Sequence, residues 1–155
     1  MQGMILRPVT DADLPVLWDH QNDESAHEMA GFSSYREQAA FEERMLKILA
    51  KPEIIILAIE IEGKVFGTVG KWVAEAQDEI NYWIDPQHWG RGIATQAVKL
   101  FLERHSHRPI YGHTAADNFG SIRVLEKNGF QRIDVKTSWA EARSSEIQEI
   151  SWILN

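Results

Sequence analysis

The stretch Asp85–His105, "DPQHWGRGIATQAVKLFLERH", decides how the chain is read. Gly90 and Gly92 flank Arg91 directly before a strongly patterned helix, where a plain turn needs one glycine at most. The first amides of a helix have no internal partner, and the helix dipole puts partial positive charge there. Glycines let a ligand approach such a backbone closely. A phosphate is the natural guest. Arg91 adds a full charge, although its side chain also reads as one that reaches solvent.

Three phosphate readings compete with a fourth, a turn that holds no ligand. A dinucleotide fingerprint needs a third glycine where Thr95 stands, and it belongs in an early βαβ unit. This disfavours a nucleotide-dependent oxidoreductase. A nucleoside-triphosphate loop needs Gly-Lys-Ser or Gly-Lys-Thr, and neither is present. The third reading is a pyrophosphate held by the turn itself, as in acyl-coenzyme A binders.

Working outward, Ile93, Ala97, Leu100 and Phe101 give the helix after the turn an apolar face. Before the turn, "DEINYWID" reads as a strand ended by Pro86. Upstream lie a first strand "MILRPVT", a helix through "DADLPVLWDHQ" capped at Thr10 or Asp11, a polar loop or broken helix "NDESAHEMAGFSSYRE", and a helix "REQAAFEERMLKILA". The last presents Phe41, Met45, Leu46 and Leu49. Two strands follow, joined by a hairpin turn at Glu62-Gly63-Lys64. Downstream come a strand "RPIYGHTA", a helix with Asn118 as N-cap and Gly129 as C-terminal cap, and a closing antiparallel pair. The order β-α-α-β-β-β-α-β-α-β-β reads as one mixed α/β domain over residues 1–155. Its central sheet is expected to hold about six or seven mostly antiparallel strands, flanked by about four helices.

The totals agree with one such domain. A chain of 155 residues buries a full core unaided. It has no cysteine, which excludes a disulfide framework, a thiolate metal site and a cysteine nucleophile, and fits a reducing cytoplasm. Net charge is −7, which argues against nucleic-acid binding and allows a cationic partner, or serves solubility alone. No apolar run is long enough for a membrane span, and none reads as a signal peptide. The six histidines show no metal-ligand spacing; His105 and His107, at a helix end, read as solvent-exposed or dipole-satisfying.

Two motifs then carry a resemblance. "QHWGRGIA", Gln87–Ala94, resembles the Gln/Arg-x-x-Gly-x-Gly/Ala signature of the GNAT superfamily of N-acetyltransferases. "DNFGSIRVLEKNGF" resembles that superfamily's second motif, in the same order and at about the family's spacing. "EINYWIDPQHWGRGIATQAV" is most similar to the branch that includes the ribosomal-protein serine and alanine N-terminal acetyltransferases.

The resemblance implies acetyl-coenzyme A (acetyl-CoA) as co-substrate and no metal. It implies that backbone around Gln87, His88, Gly90, Arg91, Gly92, Ile93, Ala94 and Thr95 holds the pyrophosphate. It also implies that the strand ending at Asp85 splays from its neighbour, so that the pantetheine arm bonds to main chain at Tyr82, Trp83 and Ile84. The side chains of Tyr82 and Trp83 read as core aromatics. Asn118 caps its helix and, by resemblance, also contacts the coenzyme arm.

For the base that deprotonates the amine, the candidates are Glu79, His113 and, third, Glu149; Glu79 also reads as a strand-end carboxylate and His113 as structural. Many family members carry a tyrosine as thiolate acid four residues after Ser121. Leu125 stands there, so no tyrosine is expected at that job. Ser121 is a candidate proton donor by resemblance and equally an ordinary first-turn residue. The acceptor, a peptide N-terminus or a cationic small molecule, is expected where the first two helices meet the central strands. Asp19, Asp23, Glu24 and Glu28 supply acidic groups there, unless that segment is only a solvated loop. A homodimer through the closing strands is plausible for such folds. A non-catalytic acyl-CoA-binding sensor on the same fold is the alternative to an enzyme.

Overall fold

The computed structural model describes residues 3–22, 37–140 and 144–155. The segment that carries Asp23, Glu24 and Glu28 lies outside them. In chain order the elements are β1 (Met4–Pro8), a 3-10 turn (Asp11–Asp13), α1 (Leu14–Gln21), α2 (Gln38–Leu49), β2 (Ile55–Ile61), β3 (Lys64–Ala74) and β4 (Gln77–Ile84). A second 3-10 turn (Pro86–His88) leads to α3 (Ile93–Arg104), β5 (Ile110–Ala115), α4 (Phe119–Lys127), β6 (Gln131–Ala140) and β7 (Ser145–Leu154). The expected element order and sheet type are both present.

The strands form one sheet in the order β1-β2-β3-β4-β5-β7-β6. Every pairing is antiparallel except β4 with β5. Turn chemistry sets the first hairpins. Glu62 and Gly63 both take positive φ, 51° and 80°, which matches the twist of the strands they join. Glu75 and Ala76 do the same at 50° and 63° without a glycine, so that turn carried no sequence signal.

The core joins the sheet to α3 and α4. Ile93, Ala97, Val98 and Phe101 of α3 and Ile122, Val124 and Leu125 of α4 are buried against Ile59, Val69, Ile110 and Trp152 of the strands. Two expected faces need correction. Leu100 is only partly buried, and Val98 takes its place, because the face centres on positions 93, 97, 98 and 101. On α2, Leu46 is half exposed, while Phe41 and Ile48, seven residues apart and so two turns, point inward. His107 is exposed as expected and His105 is only partly so, and both reach Asp78.

At the other sheet edge Arg7 binds Asp13 through both carboxylate oxygens, at 2.8 and 2.9 Å, and Glu60 at 2.9 Å. The Thr10 N–H adds a bond to Asp13 at 2.7 Å, tying α1 to β1. The Arg7 bonds hold the Asp13 carboxyl at about 2, against the push of burial. A depressed carboxylate stabilises the fold above its unfolded value near 3.8 and loses that stabilisation as pH falls toward 2. Asp13→Asn is therefore expected to cost about 1–2 kcal/mol at neutral pH, and less below pH 3, by denaturant unfolding. An equal loss at pH 3 and pH 7 would contradict the ionic origin.

Candidate active site

The site begins where two strands part. β4 and β5 share one register pair, Glu79 with Tyr111. Beyond it β4 continues to Ile84 while pairing only with β3, Gly70↔Asn81 through Gly67↔Ile84. Alternate residues of an antiparallel strand turn their N–H and C=O toward one neighbour or the other. Within Asn81–Ile84, alternate residues therefore present backbone donors and acceptors to a gap that no strand among the described residues fills.

The gap opens into a cavity of about 1000 Å³. One end is the glycine turn. Gly90 and Gly92 both have φ 78°, and Gly92 is the N-cap of α3. A Cβ built on either would meet nothing within 4 Å. The cradle is thus open on its ligand side, and glycine is there for backbone conformation and approach. Arg91 lines the cavity here, joined on α4 by Arg123 and Lys127, one helical turn apart. In a chain of net charge −7 this collects cations around one pocket mouth. The residues present fit a polyanionic ligand.

The corner that presents this turn is built on Asp85. Its N–H donates to Phe66 O at 2.8 Å, and its carboxylate accepts from the Gln87 N–H at 3.1 Å. Trp89 Nε1 donates to Ile84 O at 3.0 Å. His88 lies edge-on to Phe66, with Nδ1 2.7 Å from Arg91 Nη1 and Nε2 3.6 Å from Asp85. His88 therefore orients Arg91, and Gln87 stays exposed off the cavity wall. His20 also approaches Asp85, at 3.6 Å; burial pushes its imidazole below the ordinary value, against the pull of the carboxylate.

At the cavity's middle Asn118 accepts the Ser121 N–H at 3.1 Å, capping α4 as expected. Ser121 Oγ is hydrogen-bonded to the Tyr82 hydroxyl. This corrects the expectation that no tyrosine is available. Leu125 is indeed core, 1% exposed, but β4 delivers a phenol to the same serine from another element. Burial raises the Tyr82 phenol to about 12, so it stays protonated at neutral pH. Strand periodicity puts Tyr82 and Trp83 on opposite faces of β4 but does not say which face meets Ser121.

On the far side of the gap two of the three candidate bases, Glu79 and Glu149, converge on the third, His113. His113 Nε2 is 2.5 Å from Glu79 Oε1, and its Nδ1 is 3.5 Å from Glu149 Oε1 and 3.3 Å from Ser151 Oγ. The Glu79 hydrogen bond, opposed by burial, raises the His113 pKa. His113 and Glu149 line the cavity; Glu79 stands behind His113. Sequence reading missed Trp72, paired across the hairpin with Glu79, and Trp139, both on the cavity wall. The indole N–H of Trp72 is buried with no hydrogen-bond partner among the described residues. Asp19 is exposed and off the cavity wall, whereas Leu17, Gln21, Phe41, Arg44 and Ile48 of α1 and α2 line it.

A parted strand pair, a glycine cradle, and a hydroxyl pair across the gap from an imidazole are the layout of an acyl-CoA-handling domain. The family model described as an acetyltransferase (GNAT) domain matches residues 4–131, and the chain belongs to that family. The protein is similar to a probable N-acetyltransferase, YjcK, of Bacillus subtilis, 45% identical over 58 residues. That match covers 34% of this chain and 32% of the relative's length. Among solved structures, the fold is similar to spermidine N-acetyltransferase from Vibrio cholerae in complex with CoA and spermine, with TM-score 0.83 and 18% identity over 99% of this chain and 96% of that one. It is also similar to ribosomal-protein-alanine N-acetyltransferase from Brucella melitensis, with TM-score 0.82 and 19% identity over 97% and 98% of the two chains. At these identities the two structures establish the fold.

A side chain at position 92 would meet none of the described residues within 4 Å, so little protein packing stands against it. Gly92→Leu is expected to weaken acetyl-CoA binding by calorimetry at least about tenfold, while the left-handed backbone costs only about 1–2 kcal/mol of stability. Unchanged affinity in a folded variant would remove the turn from the binding site.

Proposed function

We propose that the protein is an acetyl-CoA-dependent N-acetyltransferase that passes the acetyl group to a primary amine by direct attack in a ternary complex. The observation that carries this reading is the unfilled gap beside Asn81–Ile84, with the glycine cradle at one end and His113 at the other. Amides around Gly90, Arg91, Gly92, Ile93, Ala94 and Thr95 would hold the pyrophosphate, with Arg123 and Lys127 adding charge. Backbone of Tyr82, Trp83 and Ile84 would bond the pantetheine arm. Bound acetyl-CoA supplies the activated thioester. Holding amine and thioester in attack geometry provides much of the rate, on the order of 7–11 kcal/mol for well-oriented pairs.

His113 takes the proton that the amine must lose, and Glu79 orients it and steadies the imidazolium that forms. As the C–N bond forms and the C–S bond breaks, the Ser121 hydroxyl, held by the Tyr82 hydroxyl, hydrogen-bonds the departing thiolate, which takes its proton from water. The hydroxyl pair and the poised imidazole favour an enzyme over a passive sensor. The acceptor enters between α1, α2 and the strands. Glu149 on the cavity wall favours a cationic amine there, either a peptide N-terminus or a small molecule. A cytoplasmic setting and a homodimer belong to this proposal; the dimer is supported by Ile133, Val135 and Trp139, more than 45% exposed on edge strand β6. No helix among the described residues is long and apolar enough to cross a membrane.

The direct test is thiol release from acetyl-CoA against serine- and alanine-initiated peptides, polyamines, aminoglycosides and amino-acid amines. Turnover with one class is expected. Silence across the panel, with acetyl-CoA still raising the melting temperature, would favour the sensor.

Roles separate by kinetics. Ser121→Ala is expected to lower kcat by about 10²-fold with little change in acetyl-CoA affinity, Tyr82→Phe likewise, and the double variant by less than the product. Full additivity would show that the hydroxyls act apart. Activity should rise with pH as His113 loses its proton, with a midpoint above the ordinary 6.5. Removing the carboxylate charge by Glu79→Gln destabilises the imidazolium, so the midpoint should move down. An unmoved midpoint would exclude His113 as the base.

A further inference from the structure

A second cluster of chemistry-bearing side chains lies outside this cavity, at the other end of β4. Asp78 Oδ2 is 3.1 Å from His105 Nε2 and 3.1 Å from His107 Nδ1. The three potential ligand atoms lie within 4.8 Å of one another. They come from the start of β4, the C-cap of α3 and the loop beyond it, so no sequence spacing announces them. We propose that Asp78, His105 and His107 bind one divalent ion of the imidazole-preferring kind, best represented by Zn2+, outside the acetyl-transfer reaction.

The separations suit an ion placed among the ligands. Zinc–ligand bonds near 2.0–2.1 Å set tetrahedral ligand atoms about 3.3 Å apart. Each imidazole now presents N–H to Oδ2, and tautomer exchange turns a lone pair to the same point. His107, 70% exposed, has freedom to close on the ion, which leaves one position for water.

The surroundings are already built as outer support. Lys71 Nζ is 3.0 Å from Oδ1, the other Asp78 oxygen, and keeps that carboxylate ionised and oriented while leaving Oδ2 to the imidazoles. Phe101 stacks on the His105 ring at 5.4 Å between centroids. Arg108 donates to His105 O at 2.7 Å and His107 O at 3.0 Å, fixing the backbone that carries both rings. Such outer partners orient ligands in metal sites. Two imidazoles and a carboxylate select Zn2+ over Mg2+, which prefers all-oxygen ligands.

Asp78 immediately precedes Glu79, the residue at which β4 and β5 make their single pairing. An ion here would clamp the end of α3 to the vertex from which the two strands diverge.

The test is calorimetric titration of the full chain with ZnCl2 alone, with thermal unfolding in parallel. One Zn2+ per chain and a raised melting temperature are expected, with no response to Mg2+. His107→Gln, at an exposed position that should not disturb folding, is expected to weaken Zn2+ binding at least about tenfold, and His105→Gln/His107→Gln to abolish it. His113→Gln is the control for the imidazole and carboxylates of the acceptor cavity. Binding that survives the double variant, binding lost only in His113→Gln, or no binding at millimolar Zn2+ would each overturn the proposal.

Discussion

Everything distinctive about this molecule follows from one missing set of backbone hydrogen bonds. β5 pairs with β7 along its whole length, Ile110↔Leu154 to Ala115↔Glu149, yet meets β4 at a single position. Backbone polar groups away from water must find partners. A strand that leaves its neighbour midway through a sheet exposes such groups to whatever can enter. An extended, amide-bearing ligand satisfies that demand in the way a strand would. The parting also opens into the cavity and separates the hydroxyl pair from the imidazole.

The parting has to be held open. On one side the Asp85 corner turns the chain away, through its bond to Phe66 and through the Trp89 indole on Ile84 O. On the other, α3 and α4 wedge a common core, with Ala97, Val98 and Leu125 nearly inaccessible. Asn128 ties these two helices directly, donating to Thr95 O at 3.2 Å and Val124 O at 2.9 Å. Thr95, where a dinucleotide site would need glycine, thus serves helix–helix contact. Neither glycine of the cradle is crowded by the described residues.

Sequence made the fold legible because its signals were local: the apolar face of α3, the caps at Asn118 and Gly129, and the turn at Glu62-Gly63. The glycine turn was legible for the same reason. Side-chain direction was harder. Tyr82 read as core because strand aromatics pack inward, and only the tertiary approach of α4 shows its hydroxyl on Ser121. The grouping of Glu79, His113 and Glu149 spans three strands, so sequence could nominate each residue but not their meeting on one ring. The grouping of His105 and His107 with Asp78 has no sequence signal, because it depends on where α3 ends against β4. Leu46 was misplaced by counting apolar residues without fixing the helix phase.

If the unpaired edge of β4 receives the acyl-CoA arm while the glycine turn holds its phosphates, one ligand covers both segments. Amide hydrogen exchange with and without acetyl-CoA tests it most directly. Slowed exchange is expected together in two separated segments, 81–84 and 90–95, with β1 and β2 unchanged. Protection at 90–95 alone would leave the turn as an anion site and contradict the strand-like role of the gap; protection at neither would contradict the account as a whole.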